Sequence, residues 1–247
     1  MKAPVSDDRG LWTSASNAEA DELCQGRHQA HSVLPDTERD EDSDAGTRIH
    51  AWLAAMASGE TLPPLSDDDL EIAEKCWAYA QAEIENWSDG LPVTLNVEHR
   101  CWAVWGSIQH SGKADLVASV QEEHGVRKLI MDYKTGRGSV EEPAKNMQLR
   151  DLAALQPGFP LSVTVQIIQP LAGKSTPCVY DFEDLKRATA DMKNRVLASN
   201  APNATRVAGE VQCKYCRAKR TCPEYAMQLA MVPTTSLSEM QPADLGK

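Results

Sequence analysis

Two aspartates and a lysine have the spacing of a candidate metal site. Asp132 and Lys134 end the apolar run "VRKLIMDYK", and Asp115 lies near the start of the run "KADLVASV". Residues i and i+2 of a strand point to the same face, so Asp132 and Lys134 would project side by side. If the two runs pair as a hairpin, Asp115 lies opposite Asp132. Two carboxylates and an ammonium group would then meet at one rim of a sheet.

These groups suit the hydrolysis of a phosphodiester bond. Mg²⁺ prefers oxygen ligands from one or two carboxylates, completed by water and phosphate. A bound metal ion polarises a phosphoryl oxygen and lowers the pKa of its water, and a lysine can orient that water. The alternative is an ordinary hairpin in which the three side chains form a salt bridge. The apolar "LIM" before Asp132 and the glycines of "KTGRG", which would let backbone approach a phosphate closely, favour the metal site.

The surrounding sequence predicts the elements that position these residues. Helical spacing is expected for 46–58, 66–87, 143–155 and 180–200, and strand-like runs for 93–105, 113–120, 126–134 and 161–170. The predicted fold class is α/β, with a mixed central sheet flanked by helices in the order α-β-β-β-α-β. The predicted division is a polar lead-in (1–45), a core (46–200), a cysteine segment (201–231) and a polar tail (232–247).

This order of elements, with Asp115, Asp132 and Lys134 at these positions, resembles the PD-(D/E)XK nuclease superfamily and its RecB-like branch. The branch has a histidine in an early "GT..H" helix, which matches "GTRIH" and implies His50 as a metal ligand. The resemblance also implies that Gln148 of "QLRDL" contacts DNA. Leu152 stands where the branch usually has a tyrosine, so the role of that position is open.

A further acid and several tryptophans need an interpretation. Glu98, in "VEHR", resembles an acid on the first strand of some phage members of the superfamily. The tryptophans are interpreted as core residues rather than as platforms for nucleic-acid bases; they are Trp77, Trp87, Trp102 and Trp105.

The second motif is "CKYCRAKRTC", which has the spacing C-x₂-C-x₅-C and contains Cys213, Cys216 and Cys222. Three thiolates leave a tetrahedral site one ligand short, and Cys24 is the candidate fourth. This arrangement resembles the iron–sulfur nucleases of the same superfamily, such as AddB-type and CRISPR-adaptation exonucleases, and implies a [4Fe–4S] cluster. Zn²⁺ is the alternative occupant. The three remaining cysteines are interpreted as apolar core residues; they are Cys76, Cys101 and Cys178.

Composition limits the other function classes. The chain has 247 residues and a net charge of −11, which argues against a general nucleic-acid coat. Residues 1–100 hold 7 Lys+Arg and 21 Asp+Glu, a net of −14, whereas residues 101–247 hold 18 and 15, a net of +3. The carboxyl-terminal part could therefore present a basic face. With no secretory signal and no apolar run of membrane-spanning length, we expect a cytoplasmic protein without a membrane partner.

The resemblance implies a metal-dependent deoxyribonuclease, and specifically an exonuclease on single-stranded or end-containing DNA. Mg²⁺ or Mn²⁺ would be held by His50, Asp115 and Asp132, and Lys134 would position the attacking water. The process would be recombination, repair or phage DNA processing, with a helicase or annealing protein as a candidate partner. The alternatives are a non-catalytic DNA-binding module with a zinc staple and a redox-sensing iron–sulfur protein.

Overall fold

The computed structural model describes residues 12–32, 34, 41–138, 140–173 and 175–231. The predicted tail, 232–247, and residues 1–11, 33 and 35–40 of the predicted lead-in lie outside the described residues. The described strands are β1 (Thr13–Ser14), β2 (Val93–Val97), β3 (Arg100–Trp105), β4 (Ile108–Lys113), β5 (Leu116–Glu122), β6 (Gly125–Tyr133), β7 (Ser162–Ile168) and β8 (Cys178–Asp181). The described helices are α1 (Ala18–Leu23), α2 (Arg27–Ser32), α3 (Glu41–Ser58), α4 (Asp67–Ser88), α5 (Met147–Ala154), α6 (Phe182–Ser199), α7 (Glu210–Lys214) and α8 (Pro223–Met231).

The main sheet has the strand order β2-β5-β6-β7-β8. β6 and β7 are parallel and α5 lies in the connection between them, whereas the other pairs are antiparallel. A parallel pair needs such a crossover, which explains why a helix separates these two strands. The mixed sheet flanked by helices confirms the predicted fold class.

Apolar residues cover both faces of the main sheet. On one face, α5 and α6 pack against the sheet through a core that includes Ile130, Leu149 and Leu185. On the other face, α3 and α4 pack through a core that includes Leu53 and Met131. Consecutive strand residues such as Ile130 and Met131 therefore serve different cores, which is why the sequence of β6 is apolar without alternation.

The predicted hairpin of β5 and β6 is present in the expected register. Leu116 pairs with Met131, so the next positions outward on the two strands are Asp115 and Asp132. Main-chain pairing thus brings the two carboxylates to the same rim of the sheet. Ser66 caps the amino terminus of α4, where its side chain accepts a hydrogen bond from the Asp69 amide at 3.2 Å.

A second sheet, with the order β1-β4-β3, corrects the sequence-based strand assignment. The predicted strand 93–105 is two strands, interrupted at Glu98, whose φ of 51° is in the left-handed region. The segment "SIQHSG", expected to be a connection, lies largely within β4. β4 is the central strand of this small sheet, and its polar residues His110 and Ser111 are buried.

Buried polar side chains connect the small sheet to the helices. His110 Nδ1 lies 2.9 Å from Thr13 Oγ1, and its Nε2 lies 3.1 Å from Asp151 Oδ2. Arg195 of α6 donates to both oxygens of Asp151 at 2.5 Å. Hydrogen bonds satisfy these groups, so the sheet tolerates polar residues in its interior.

The amino-terminal and carboxyl-terminal segments are hydrogen-bonded to each other. The Gly26 amide donates to Thr205 O at 2.8 Å, Arg27 Nε donates to Gln212 O at 3.2 Å, and Gln29 Nε2 donates to Ala201 O at 2.5 Å. None of these bonds involves a cysteine. The two segments therefore have a protein-only connection in addition to any metal group that the cysteines hold.

The structure confirms the core assignment of three tryptophans and corrects the fourth. Trp77 and Trp87 pack against the core formed with α3 and α4, and Trp105 packs against a small core around Met192. Trp102, however, is 40% exposed. The prediction for Trp102 is wrong because β3 is an edge strand that buries only one of its faces. None of the described helices has the length and apolar character needed to cross a bilayer.

Candidate active site

The Asp115 carboxylate is held by groups from two elements. Its Oδ2 accepts a hydrogen bond from the main-chain amide of Tyr133 at 2.8 Å, and its Oδ1 lies 3.2 Å from His50 Nδ1 on α3. Tyr133 is itself buried in the core below the rim. The hairpin and α3 together fix the direction of this carboxylate, as a metal ligand requires.

The Asp132 carboxylate is buried and makes two different contacts. Its Oδ2 lies 2.6 Å from Lys134 Nζ, in line with the expectation that residues 132 and 134 project side by side. Its Oδ1 accepts a hydrogen bond from Gln148 Nε2, on α5, at 3.0 Å. The predicted residues Asp132, Lys134 and Gln148 thus meet at one point, where α5 packs against the end of β6.

The one group of three or more potential metal ligands found among the described residues consists of His50, Glu98 and Asp115. Their ligand atoms all lie within 4.8 Å of one another. The positive φ of Glu98 turns the chain between β2 and β3, and its amide donates to Asp115 O at 3.0 Å. Residue spacing did not indicate Glu98, and only the family resemblance suggested it. No local sequence pattern indicates Glu98, because it lies in a turn, where strand alternation does not set the direction of a side chain.

A cleft of about 560 Å³ opens over these groups. It lies between α3 and the ends of the strands, and its wall includes Gly46, His50, Glu98, Lys113 and Asp115. Lys113 Nζ forms an ion pair with the Glu98 carboxylate. A ligand entering the cleft therefore meets two carboxylates, one imidazole and one ammonium group.

Burial and charge have opposite effects on the titration of these groups. Burial opposes ionisation of Asp115, but the hydrogen bond and charge of His50 and the amide of Tyr133 outweigh it and hold the pKa of Asp115 below its usual range. Burial raises the pKa of Asp132, and the charge of Asp115 adds to this rise against the effect of Lys134. Burial lowers the pKa of Lys134, but Asp132 outweighs this effect, so the pKa of Lys134 is raised overall.

The donor set fits a hard divalent cation. Carboxylate oxygens are the preferred ligands of Mg²⁺, and Mn²⁺ also accepts an imidazole. Two acids and a histidine are already aimed at one cleft, and Asp132 borders them with its oxygens bound by Gln148 and Lys134. In physical terms the site is preorganised by hydrogen bonds that do not depend on a metal ion.

Leu152, which stands where related sequences usually have a tyrosine, belongs to the core. It is 1% exposed, and its Cδ2 lies 2.6 Å from the position that a Cβ on Gly112 would occupy. An aromatic ring at residue 152 would need space that β4 fills. This position therefore docks α5 on the small sheet and has no contact with solvent or with a ligand in the cleft.

The cysteines of the second motif lie close to Cys24 of the amino-terminal segment. Burial raises the pKa of the Cys24 thiol; a hydrogen bond from the Val207 amide lowers it, and the nearby charges of Cys213, Cys216 and Cys222 raise it again. The Val207 amide donates to Cys24 Sγ at 3.3 Å, and the Gly209 amide donates to Cys213 Sγ at 3.5 Å. Cys76 and Cys101 are buried in the core, as predicted, whereas Cys178 is only partly buried and packs against it.

This fold and this rim of carboxylates define the protein class. The family model of the PD-(D/E)XK nuclease superfamily matches residues 13–223. The chain belongs to this superfamily of nucleases, whose members use divalent metal ions such as Mg²⁺.

One solved structure supports the fold, and a second gives a weaker match. A protein from Eubacterium rectale named "Putative exonuclease" is 10% identical, with a TM-score of 0.54, covering 94% of this chain and 100% of that chain. The protein SSO0001 is 14% identical, with a TM-score of 0.41, covering 90% of each chain. A search among curated protein sequences found no match.

Proposed function

We propose that the protein is a Mg²⁺- or Mn²⁺-dependent deoxyribonuclease that acts as an exonuclease on single-stranded or end-containing DNA. The observation that carries this proposal is the convergence of His50, Glu98 and Asp115 within 4.8 Å, beside the buried ion pair of Asp132 and Lys134. A metal ion bound there would polarise a phosphoryl oxygen and lower the pKa of a water molecule.

Each residue then has a distinct role. His50, Asp115 and Asp132 are the proposed ligands, and the position of Glu98 supports it as a further one. Lys134 holds its proton because Asp132 raises its pKa, so it stays a cation that can orient water or stabilise charge on phosphate. Asp132 lies outside the group of ligand atoms within 4.8 Å of one another, so its carboxylate would have to turn from Lys134 and Gln148 to reach the same metal ion.

Gln148 is proposed to orient Asp132 as well as to contact the DNA strand. Its amide donates to Asp132 Oδ1 through Nε2, which leaves its side-chain oxygen available to a second group. The basic residues near the cleft, which include Lys113, would attract the phosphate backbone of DNA by charge.

The test is metal-dependent cleavage by variants that keep the shape of the site. Asp132→Asn and Lys134→Met should each abolish cleavage of end-labelled single-stranded DNA in Mg²⁺ or Mn²⁺. Lys75→Met is the matched control, because Lys75 is a 53% exposed lysine paired with Glu71 on α4. Melting temperatures would establish that all three variants are folded. Normal cleavage by Asp132→Asn would disprove the assignment.

Circular substrates separate exonuclease from endonuclease action. An exonuclease degrades linear single strands and leaves circles of the same sequence intact. Nicking of the circles at a rate similar to that for linear DNA would contradict the exonuclease part of the proposal and leave the nuclease part standing.

We also propose that Cys24, Cys213, Cys216 and Cys222 hold a [4Fe–4S] cluster. The amide hydrogen bonds to Cys24 and Cys213 are contacts that stabilise thiolate ligands, and hydrogen bonds to sulfur are a known control of cluster potential. Cys24 lies near the three other thiols, as four ligands of one group require.

A [4Fe–4S] cluster and a zinc ion would hold these four cysteines in different ways. A single zinc ion about 2.3 Å from each thiolate draws all four sulfurs together, whereas a cubane places each on a different iron. Anaerobic purification followed by iron and zinc quantification should find about four iron atoms per chain. One zinc and no iron would overturn this part.

A further inference from the structure

The edge strand β3 has two chemically different faces. Cys101, Ala103 and Trp105 point inward and pack around Leu155 and other residues of α5 and α6. The alternate residues point outward, where Trp102 is 40% exposed and Val104 is 60% exposed. Nothing within the described part of the chain covers these two apolar side chains fully.

The register of the small sheet places two cations on the same outward face. Arg100 pairs with Lys113, Trp102 pairs with Ser111, and Val104 pairs with Gln109. Paired residues of antiparallel strands point to the same face. We call this surface the ribbon face; its accessible members are Arg100, Trp102, Val104, Gln109 and Lys113, and Ser111, on the same face, is buried.

Contacts within the ribbon face hold its cation and its aromatic ring together. Arg100 Nη1 donates to Ser111 Oγ at 3.1 Å, and the guanidinium carbon lies 6.0 Å from the centre of the Trp102 ring. The ring is therefore supported from one side by a cation and remains open to solvent on its surface. The face carries two cations, Arg100 and Lys113, and Lys113 forms an ion pair with Glu98 where the face meets the cleft.

The ribbon face is continuous with the metal cleft. Lys113 is the last residue of β4 and also lines the cleft beside Glu98 and Asp115. From residue 100 to residue 104, β3 extends about 13 Å away from that point. A DNA strand that has one phosphate in the cleft can therefore continue directly over Arg100 and Trp102.

We propose that the ribbon face binds the single-stranded DNA that leads to the cleft, with a base stacked on Trp102 and phosphates on Arg100 and Lys113. This inference rests on the proposed nuclease function and assigns the substrate path of the same site. Alternating cations and an exposed ring are the elements by which proteins hold single strands without reading sequence.

Other occupants fit the face less well. A duplex offers no free base surface to Trp102. A protein that added a strand to the edge of β3 would use its main-chain groups and would not need the cation–aromatic pair. The two cations, Arg100 and Lys113, likewise complement the phosphates of a polyanion better than they complement an apolar surface.

The test measures binding without cleavage, so its outcome is independent of whether the enzyme cuts. A fluorescent oligodeoxythymidylate would be titrated with the full chain in EDTA. Trp102→Ala should weaken binding about 5- to 150-fold, the usual effect of losing one stacked base, and Trp102→Phe should restore most of it. Phe159→Ala is the matched control, since Phe159 is an 88% exposed aromatic in the connection before β7, at the end of the main sheet away from Asp132.

A second variant keeps the test decisive if Trp102→Ala is unstable. Val104→Lys adds a cation at an exposed position and should tighten binding and steepen its salt dependence by about one counterion. Unchanged affinity in both Trp102→Ala and Val104→Lys would overturn the proposal. Equal binding of duplex and single strands by the wild type, or no binding of single strands, would overturn it too. Loss of cleavage alone would bear on the proposed function and not on this surface.

Discussion

Gln148 Nε2 lies 3.0 Å from Asp132 Oδ1 and joins α5 to the end of β6. Asp132 is buried, so this hydrogen bond and the ion pair to Lys134 decide which way the carboxylate points. Hydrogen bonds to a buried charged group are worth about 1.5–3 kcal/mol. The crossover helix therefore has a direct effect on the geometry of the rim.

We predict that Gln148→Ala lowers kcat/KM for DNA cleavage about tenfold to a hundredfold, because Asp132 loses one of the two groups that orient it. Gln148→Glu should be worse, since it places a second carboxylate against Asp132. Steady-state cleavage at several Mg²⁺ concentrations measures both effects. Gln156→Ala is the control, because Gln156 follows the carboxyl end of α5 and bonds Leu152 O instead. Equal activity of the Gln148→Ala and Gln156→Ala enzymes would contradict this role.

The buried charge pair of Asp151 and Arg195 leads to a prediction about stability. Asp151→Ala leaves the buried Arg195 guanidinium with only the Glu22 carboxylate, at 4.0 Å, and breaking a buried pair costs about 3–5 kcal/mol. For a chain of this size the melting temperature should fall by about 6–20 °C. The matched variant is Asp191→Ala, since Asp191 pairs with Arg150 at the surface, where such pairs contribute about 0–1 kcal/mol. Similar melting temperatures for the two variants would show that the buried network adds little.

We predict that any side chain at residue 112 lowers the stability of the fold. A Cβ there would lie 2.6 Å from Leu152 Cδ2 and 2.8 Å from Leu155 Cδ1. Gly112→Ala should destabilise the fold by about 1–3 kcal/mol, as overpacked cores do. Gly138→Ala, where no neighbouring atom lies within 4 Å, should leave thermal unfolding nearly unchanged. A Gly112→Ala protein as stable as the wild type would mean that α5 can shift on the small sheet.

Replacing one of the four proposed cysteine ligands should cause loss of the metal group without unfolding the protein. We expect Cys24→Ser to lose most of the bound iron and to melt at a lower temperature, while remaining folded, because Gly26, Arg27 and Gln29 still hold the two terminal segments together. Cys178→Ser is the control, because Cys178 packs against a core. Iron quantification and circular dichroism provide the measurements. Full iron content in the Cys24→Ser protein would remove Cys24 from the ligand set.

The apolar runs were enough to predict the main hairpin. "KADLVASV" and "VRKLIMDYK" mark β5 and β6, and their pairing places Asp115 opposite Asp132. These are local signals, since each depends on a few neighbouring residues. The motif residues His50 and Gln148 came from the family resemblance, and both lie within hydrogen-bonding distance of the acids.

The small sheet could not be predicted in the same way. His110 and Ser111 look like loop residues because the partners that allow their burial are distant in sequence; Asp151 is 41 residues from His110. Glu98 breaks what reads as one continuous strand, and no local rule favours a left-handed conformation for a glutamate. The exposure of Trp102 likewise follows from the edge position of β3, which only the tertiary structure reveals.

The hydrogen bond from the Val207 amide to Cys24 spans 183 residues of chain. A ribosome that adds about 5–20 residues per second needs about 10–40 s to make that interval. During synthesis, Cys24 is translated well before Cys213, Cys216 and Cys222, and the strands of the main sheet are translated in between. Assembly of the proposed metal group would therefore follow the synthesis of β5 and β6, because its last three cysteines are translated after both strands.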